Sequence, residues 1–195
     1  MFHRLRFITK IRRRKTEYRH ADVYFPLPMG YNTNVMERFD MDLNTDEYYM
    51  RKALDLAYKA AKKDEVPVGA LIVRDGKILS TGYNKRETKK SPTAHAELLA
   101  IKKAAKKLGG WRLTRCTLYV TLEPCPMCAG AIINARIPRV VFGAADPKAG
   151  AFGSLYNLAE GKLNHTPKTV SGVLQNECGG ILSSYFKNKR SKKEK

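Results

Sequence analysis

Residues 116–144 read CTLYVTLEPCPMCAGAIINARIPRVVFGA, and this stretch decides the fold. Cys116 to Leu122 is apolar and β-branched with no glycine or proline, which predicts a strand. Pro126 to Ala135 predicts a helix, with Pro126 in the first turn, where a missing N–H leaves no hydrogen bond unmade. Arg139 to Ala144 reads as a buried strand. Strand, helix and strand in that order favour parallel pairing through a right-handed crossover. The class expected is therefore α/β.

Upstream, Met50, Ala53, Leu54, Ala57 and Ala61 recur on one helical face, so a helix is expected from about Thr45 to Lys63, with Asn44 and Glu47 as its capping box. Val68 to Arg74 and Lys77 to Tyr83 predict two strands joined by an Asp75-Gly76 hairpin turn. A polar loop, Asn84 to Pro92, leads to Thr93 as N-cap of a helix from Ala94 to about Leu108, stopped by Gly109 and Gly110. A last strand is expected near Thr169 to Leu174 and a last helix from about Asn176. The sum is a mixed sheet of about five strands between helices. Residues 1 to 43 show neither helical nor strand periodicity and are expected to form a poorly ordered basic arm. Met41 begins the first segment that reads as folded. Residues 44–186 make the expected domain, and 187–195, with six basic residues and one acid, a frayed basic tail.

The 195 residues, 43% hydrophobic and 28% charged, suffice for one sizeable core. With 37 Lys and Arg against 18 Asp and Glu the formal charge is +19, and the body between arm and tail alone carries +10, so a polyanion partner does not depend on the termini. No apolar run approaches the ~20 residues of a membrane span. The basic N-terminus lacks the apolar stretch of a secretory signal and has no serine before residue 80, unlike a transit peptide, so the cytoplasm is the expected location. Four cysteines are too few for a disulfide scaffold of this length. Cys116 and Cys178 read as core residues, whereas Cys125 and Cys128 form a C-x-x-C.

That C-x-x-C sets two sulfurs on one helical face at the start of a helix, where the dipole favours the metal-binding thiolate. His95 completes a set of three candidate zinc ligands. A structural zinc needs four protein ligands and a catalytic zinc three, and only three are grouped here unless Cys116 joins them. Glu97, two residues past His95, is placed to take a proton from water without binding the ion. Positions two apart do not share a helical face, so the metal is expected at the mouth of the helix. Taken alone, Glu97 would be an ordinary first-turn acid.

His95-x-Glu97 followed by Pro124-Cys125-x-x-Cys128 is the signature of zinc deaminases acting on nucleobases. With Glu65-Val66-Pro67-Val68-Gly69-Ala70, Leu118 to Cys125, Met127 to Ala131, Arg139 to Ala144, Gly153-Ser154-Leu155, Asn164-His165 and Tyr185-Phe186-Lys187-Asn188, residues 45 to 190 resemble the bacterial tRNA-specific adenosine deaminase family. The resemblance implies a three-layer α/β/α cytidine-deaminase-like fold. It also implies a cytoplasmic homodimer with one Zn2+ per subunit, and conversion of the wobble adenosine of a tRNA anticodon to inosine. Carried over, His95, Cys125 and Cys128 are metal ligands and Glu97 the proton shuttle. Asn84 holds the target nucleoside, Asp146 and Lys148 contact neighbouring nucleotides, and Phe186 and Lys187 line the RNA site. As residue types alone, these last five equally suit a loop cap, a turn acid, a solvated charge, a core aromatic and a surface lysine. The arm has no counterpart in the family. Two rival functions share the pattern: a small-molecule deaminase of guanine, cytosine or dCMP, and a non-catalytic RNA-binding protein braced by zinc.

Overall fold

A computed structural model describes the backbone of residues 33–192 and side chains from 45 to 192. The chain divides into two units, Met1–Asp40 and Met41–Lys195, and the sheet and the site belong to the second. Ten elements follow in order: α1 (Thr33–Ala61), β1 (Gly69–Arg74), β2 (Lys77–Tyr83), α2 (Arg86–Lys89), α3 (Ala96–Leu108), β3 (Cys116–Leu122), α4 (Pro126–Asn134), β4 (Arg139–Ala144), β5 (Lys168–Val170) and α5 (Gln175–Ser191).

The strands form one five-stranded sheet in the order β2-β1-β3-β4-β5. β1 is antiparallel to β2 and β3, while β3, β4 and β5 run parallel, so α4 is the crossover expected between β3 and β4. The hairpin turn has Asp75 and Gly76 both at positive φ, 49° and 72°, the left-handed pair that matches strand twist. Alternation along the strands splits the core in two. Ala70, Ile72, Leu118, Val120, Val140 and Phe142 pack beneath α3 and α4. Leu71, Val73, Tyr119 and Val141 face the opposite side, against α1 and Cys178 of α5. Cys116 and Cys178 are buried, as their apolar settings predict.

Small residues set how closely the helices sit. Ala96, Ala100 and Ala104, four apart, present a flat face of α3 to the sheet. A Cβ on Gly82 of β2 would fall 2.2 Å from the Ala96 carbonyl oxygen, so only glycine admits this approach. The Ser80 hydroxyl donates to the Ala100 carbonyl at 2.7 Å, and Lys103 and Lys107 donate to the carbonyls of Thr81 and Leu79, each at 2.7 Å. α3 is thereby pinned along the edge strand. At the other end of the sheet the buried Asp46 of α1 accepts from Tyr119 at 2.8 Å and from both Arg139 guanidinium nitrogens at 2.9 and 2.6 Å.

Several expected boundaries move. Residues 1–32 of the expected arm lie outside those described, but 33–43 are helical, so α1 starts well before Thr45. Position 44 is then inside a helix and not at its start, and Glu47 pairs with Arg51 one turn on at 3.4 Å. His95, not Thr93, is the N-cap of α3, its carbonyl accepting from the Leu99 N–H at 3.1 Å, while the Thr93 hydroxyl is in contact with that of Ser91 at 3.1 Å. The loop from Asn84 contains α2, a single turn. β5 ends at Val170, earlier than expected. α5 continues to Ser191 through most of the expected frayed tail, because Tyr185 and Lys189, one turn apart, both grip Asp64: Tyr185 donates to its carbonyl at 2.9 Å, and Lys189 pairs with its carboxylate at 2.5 Å.

Candidate active site

The parallel strands aim their carboxyl ends at one edge of the sheet, where α/β sheets bind ligands. There β3 ends and Glu123-Pro124-Cys125 leads into α4, with Cys125 as the extended N-cap residue, at φ −72° and ψ 169°, and Pro126 in the first turn. From the neighbouring helix, His95 is the N-cap of α3, extended at φ −73° and ψ 153°. Two helix N-termini thus converge on one point. Because His95 lies outside the helix proper, the rule that positions two apart diverge does not govern it, and Glu97 follows it into the same cavity.

His95 Nδ1 lies 3.7 Å from Cys125 Sγ and 3.5 Å from Cys128 Sγ. Tetrahedral zinc with bonds of ~2.3 Å to sulfur and ~2.0 Å to nitrogen requires an S···N spacing of roughly 3.6 Å. The donor set therefore fits zinc in both chemistry and spacing, and the ligand atoms all lie within 4.8 Å of one another. Among the described residues no fourth His, Cys, Asp or Glu joins them. Cys116 stays in the core beneath α3 and α4.

Charge in the cluster is shared among its donors. Hydrogen bonding from the Cys128 thiol, then from His95, draws the Cys125 thiol down to about 4. The same Cys125 contact, with burial, pushes Cys128 up, and the bond to Cys125 raises His95. Burial raises Glu97, which is 4% exposed. Of the two thiols, Cys125, at the positive end of α4, is the one drawn toward thiolate.

The cleft in front of these groups is about 220 Å³ and is lined by Asn84, Arg86, Glu97, Glu123 and Asp146 besides His95 and Cys125. Asn84 is 5% exposed, at the end of β2. Asp146 follows β4, and its carboxylate accepts from the N–H groups of Lys148 and Ala149 at 3.0 and 3.2 Å, which is the turn role its residue type suits, carried out at the cleft wall. Lys148 is exposed just beyond. Phe186 and Lys187 stand on α5, exposed and outside the cleft lining. Phe186 makes an edge contact with Tyr185 at 5.4 Å and is not a core residue.

Two buried acids quoted in the sequence motifs had no assigned role, and they build the rims. Glu65, fully buried, accepts from the N–H groups of Glu87 and Thr88 at 3.2 and 2.7 Å and from Asn84 Nδ2 at 3.4 Å. Glu123, 2% exposed, accepts from the N–H groups of Asp146, Phe152 and Ser154 at 3.1, 2.9 and 3.1 Å, and from the Ser154 hydroxyl. The one available signal was an acid set next to a strand or helix end within an otherwise apolar motif.

Comparison with known proteins agrees with this geometry. The MafB19-like deaminase family matches residues 44–190. A tRNA-specific adenosine deaminase of Bacillus subtilis is 53% identical over 153 residues, covering 78% of this chain and 95% of the relative. That of Haemophilus influenzae is 49% identical over 151 residues, covering 76% and 87%. A solved structure from a study of A-to-I editing by tRNA:A34 deaminases at the wobble position superposes with a TM-score of 0.68 at 43% identity, covering 69% of this chain and 99% of that one. The chain belongs to the MafB19-like deaminases and, within them, to the tRNA-specific adenosine deaminase family.

Proposed function

We propose that this chain hydrolyses adenosine to inosine and ammonia at the wobble position of a tRNA anticodon, using a zinc ion held by His95, Cys125 and Cys128. The observation that carries the reading is the convergence of three ligands, not four, with a buried carboxylate beside them in an open cleft. Bound there, zinc supplies the Lewis acidity that makes water nucleophilic near neutral pH.

The chain's own groups handle the protons. Glu97 takes a proton from the attacking water and delivers it to N1 of adenine as oxygen joins C6, then carries the proton of the new C6 hydroxyl to the amine, so that the C6–N bond breaks, ammonia leaves and the C6 carbonyl forms. Its burial keeps bulk water from competing for that proton. Asn84 at the cleft wall suits the nucleoside, and Asp146 and Lys148 at the mouth suit neighbouring nucleotides. Phe186 and Lys187, exposed on α5, suit RNA outside the cleft. An anticodon loop presents unstacked bases, so the target reaches the cleft at low energetic cost.

The same reading makes the chain a cytoplasmic homodimer with one zinc per subunit, and 44–186 its deaminase domain. No helix among the described residues is long and apolar enough to cross a membrane. Incubating the zinc-loaded protein with total tRNA and, in parallel, with free guanine, cytosine and dCMP tests the assignment. Inosine at the first anticodon nucleotide, with matching ammonia, is the expected result. Ammonia from free bases with tRNA unchanged would replace it with a small-molecule deaminase. Tight tRNA binding with no inosine would replace it with a zinc-braced binding protein.

A further inference from the structure

Among the described residues, Asn84 Oδ1 is the buried side-chain oxygen with no hydrogen-bond partner in the protein, and it belongs to a residue of the cleft wall. Leaving such an atom unsatisfied costs more than a hydrogen bond returns, so it calls for a partner, and at the wall of a cleft a ligand donor can supply one. The other end of the same amide is committed, because Nδ2 donates to Glu65.

Glu65 touches none of the proposed catalytic groups. It is fully buried, and its two oxygens take the N–H groups of Glu87 and Thr88 besides Asn84 Nδ2. Burial alone would push its carboxyl up, but the bonds from Thr88 and Glu87 override this and hold it below the ordinary value. An ionised carboxylate can only accept. An amide beside it has one satisfactory orientation, with nitrogen toward the charge and oxygen away.

Resting on the proposed reaction at this cleft, we infer that Glu65 is a positioning residue that fixes the polarity of Asn84, so that the cleft wall presents a hydrogen-bond acceptor. The group recognised there is a donor on the target nucleoside, an O–H or N–H. Glu65 thereby helps set which nucleoside edge the site accepts. α2 is held by the same carboxylate, so the wall and its polarity are built together.

A double-mutant cycle tests this against a purely structural role. In Glu65→Gln, the one remaining oxygen keeps the Thr88 N–H, the shortest of the three bonds at 2.7 Å, and the new amide nitrogen faces Asn84 Nδ2 as a second donor. Asn84 is expected to reverse, turning Nδ2 into the cleft, and kcat/KM on an anticodon stem-loop falls ~10- to 100-fold per folded, zinc-replete molecule. Asn84→Asp beside intact Glu65 sets two carboxylates face to face and also lowers activity. When Asn84→Asp is combined with Glu65→Gln, the introduced amide donates to one oxygen of the introduced carboxylate, while the other oxygen presents an acceptor to the cleft. The double variant is therefore expected to exceed Asn84→Asp, so that removing the Glu65 charge harms one background and helps the other. That reversal of sign supports the inference, and it is readable within the Asn84→Asp background even if Glu65→Gln alone does not fold. Loss in both backgrounds, or a Glu65→Gln enzyme within about two-fold of the parent, overturns it. Wild-type protein inactive on the stem-loop would instead overturn the proposed reaction.

Discussion

Substituting Gly82 by alanine should damage the active site from beneath. The added Cβ would lie 2.2 Å from the Ala96 carbonyl oxygen and 2.9 Å from the Ala100 nitrogen, both backbone atoms, so no side chain can swing aside. Ordinary contact begins near 3.4 Å, and α3 must retreat by roughly 1 Å. Overpacking of this kind costs about 1–3 kcal/mol. The retreat also stretches the 2.7 Å bonds from Ser80 to Ala100 and from Lys103 to Thr81. At about 1 kcal/mol for each of these two net hydrogen bonds, the expected loss in urea denaturation is about 3–5 kcal/mol.

The consequence for function follows from where the push is delivered. Ala96 lies between His95 and Glu97, so the displacement falls on the proposed metal ligand and the proposed proton carrier together. A catalytic constellation tolerates about 0.5 Å, and a misplacement of 1 Å costs on the order of 100-fold in rate. Gly82→Ala should therefore lose zinc and turnover at temperatures where it remains folded. Gly76→Ala is the control. It is strained at φ 72° but meets nothing within 4 Å, so it should lower stability by about 1–2 kcal/mol and leave zinc content unchanged. A Gly82→Ala protein with parental stability and full zinc would refute the reasoning.

Three further outcomes are expected. Glu97→Gln keeps size and zinc but loses the proton carrier, so turnover of the stem-loop should fall by at least ~100-fold with zinc stoichiometry intact. Near-normal turnover would exclude the proton route. Burial alone would raise Glu65 and Glu123, but the bonds from Thr88 to the first and from Ser154 to the second keep both below the ordinary 4.5. Their contribution is complete above that value and is lost as pH falls through the depressed folded values, so the urea midpoint should drop steeply below pH 4.5, and less steeply in Glu123→Gln; equal slopes would contradict this. With a formal charge of +19, tRNA affinity should fall linearly on a log–log plot against salt, and affinity indifferent to salt would argue against phosphate contacts.

Much of this fold was written locally. β2, β3 and β4 end where the apolar and β-branched runs end, and the Asp75-Gly76 turn is fixed by its two residues. The clustering of His95, Cys125 and Cys128 was legible because metal chemistry restricts residue type and spacing together. What escaped was determined from a distance. One local signal was passed over: Val35, Met36, Phe39 and Leu43 recur at helical spacing, but the stripe is short and set among acids and asparagines, so the start of α1 at Thr33 was missed. α2 is one turn held by a carboxylate more than twenty residues upstream. Glu65 and Glu123 organise the rims through backbone N–H groups, which every residue except proline possesses and which leave no mark in a sequence. The end of α5 depends likewise on Asp64, 125 residues from Lys189.

X-ray absorption at the zinc edge of the fully loaded protein tests the central assignment most directly. The account predicts two sulfurs near ~2.3 Å and two lighter atoms near ~2.0 Å, one from His95 and one from solvent, with the solvent atom exchanged for added cyanide or azide. Three sulfurs, or a fourth ligand that no added anion displaces, would make the zinc structural and contradict a hydrolytic site.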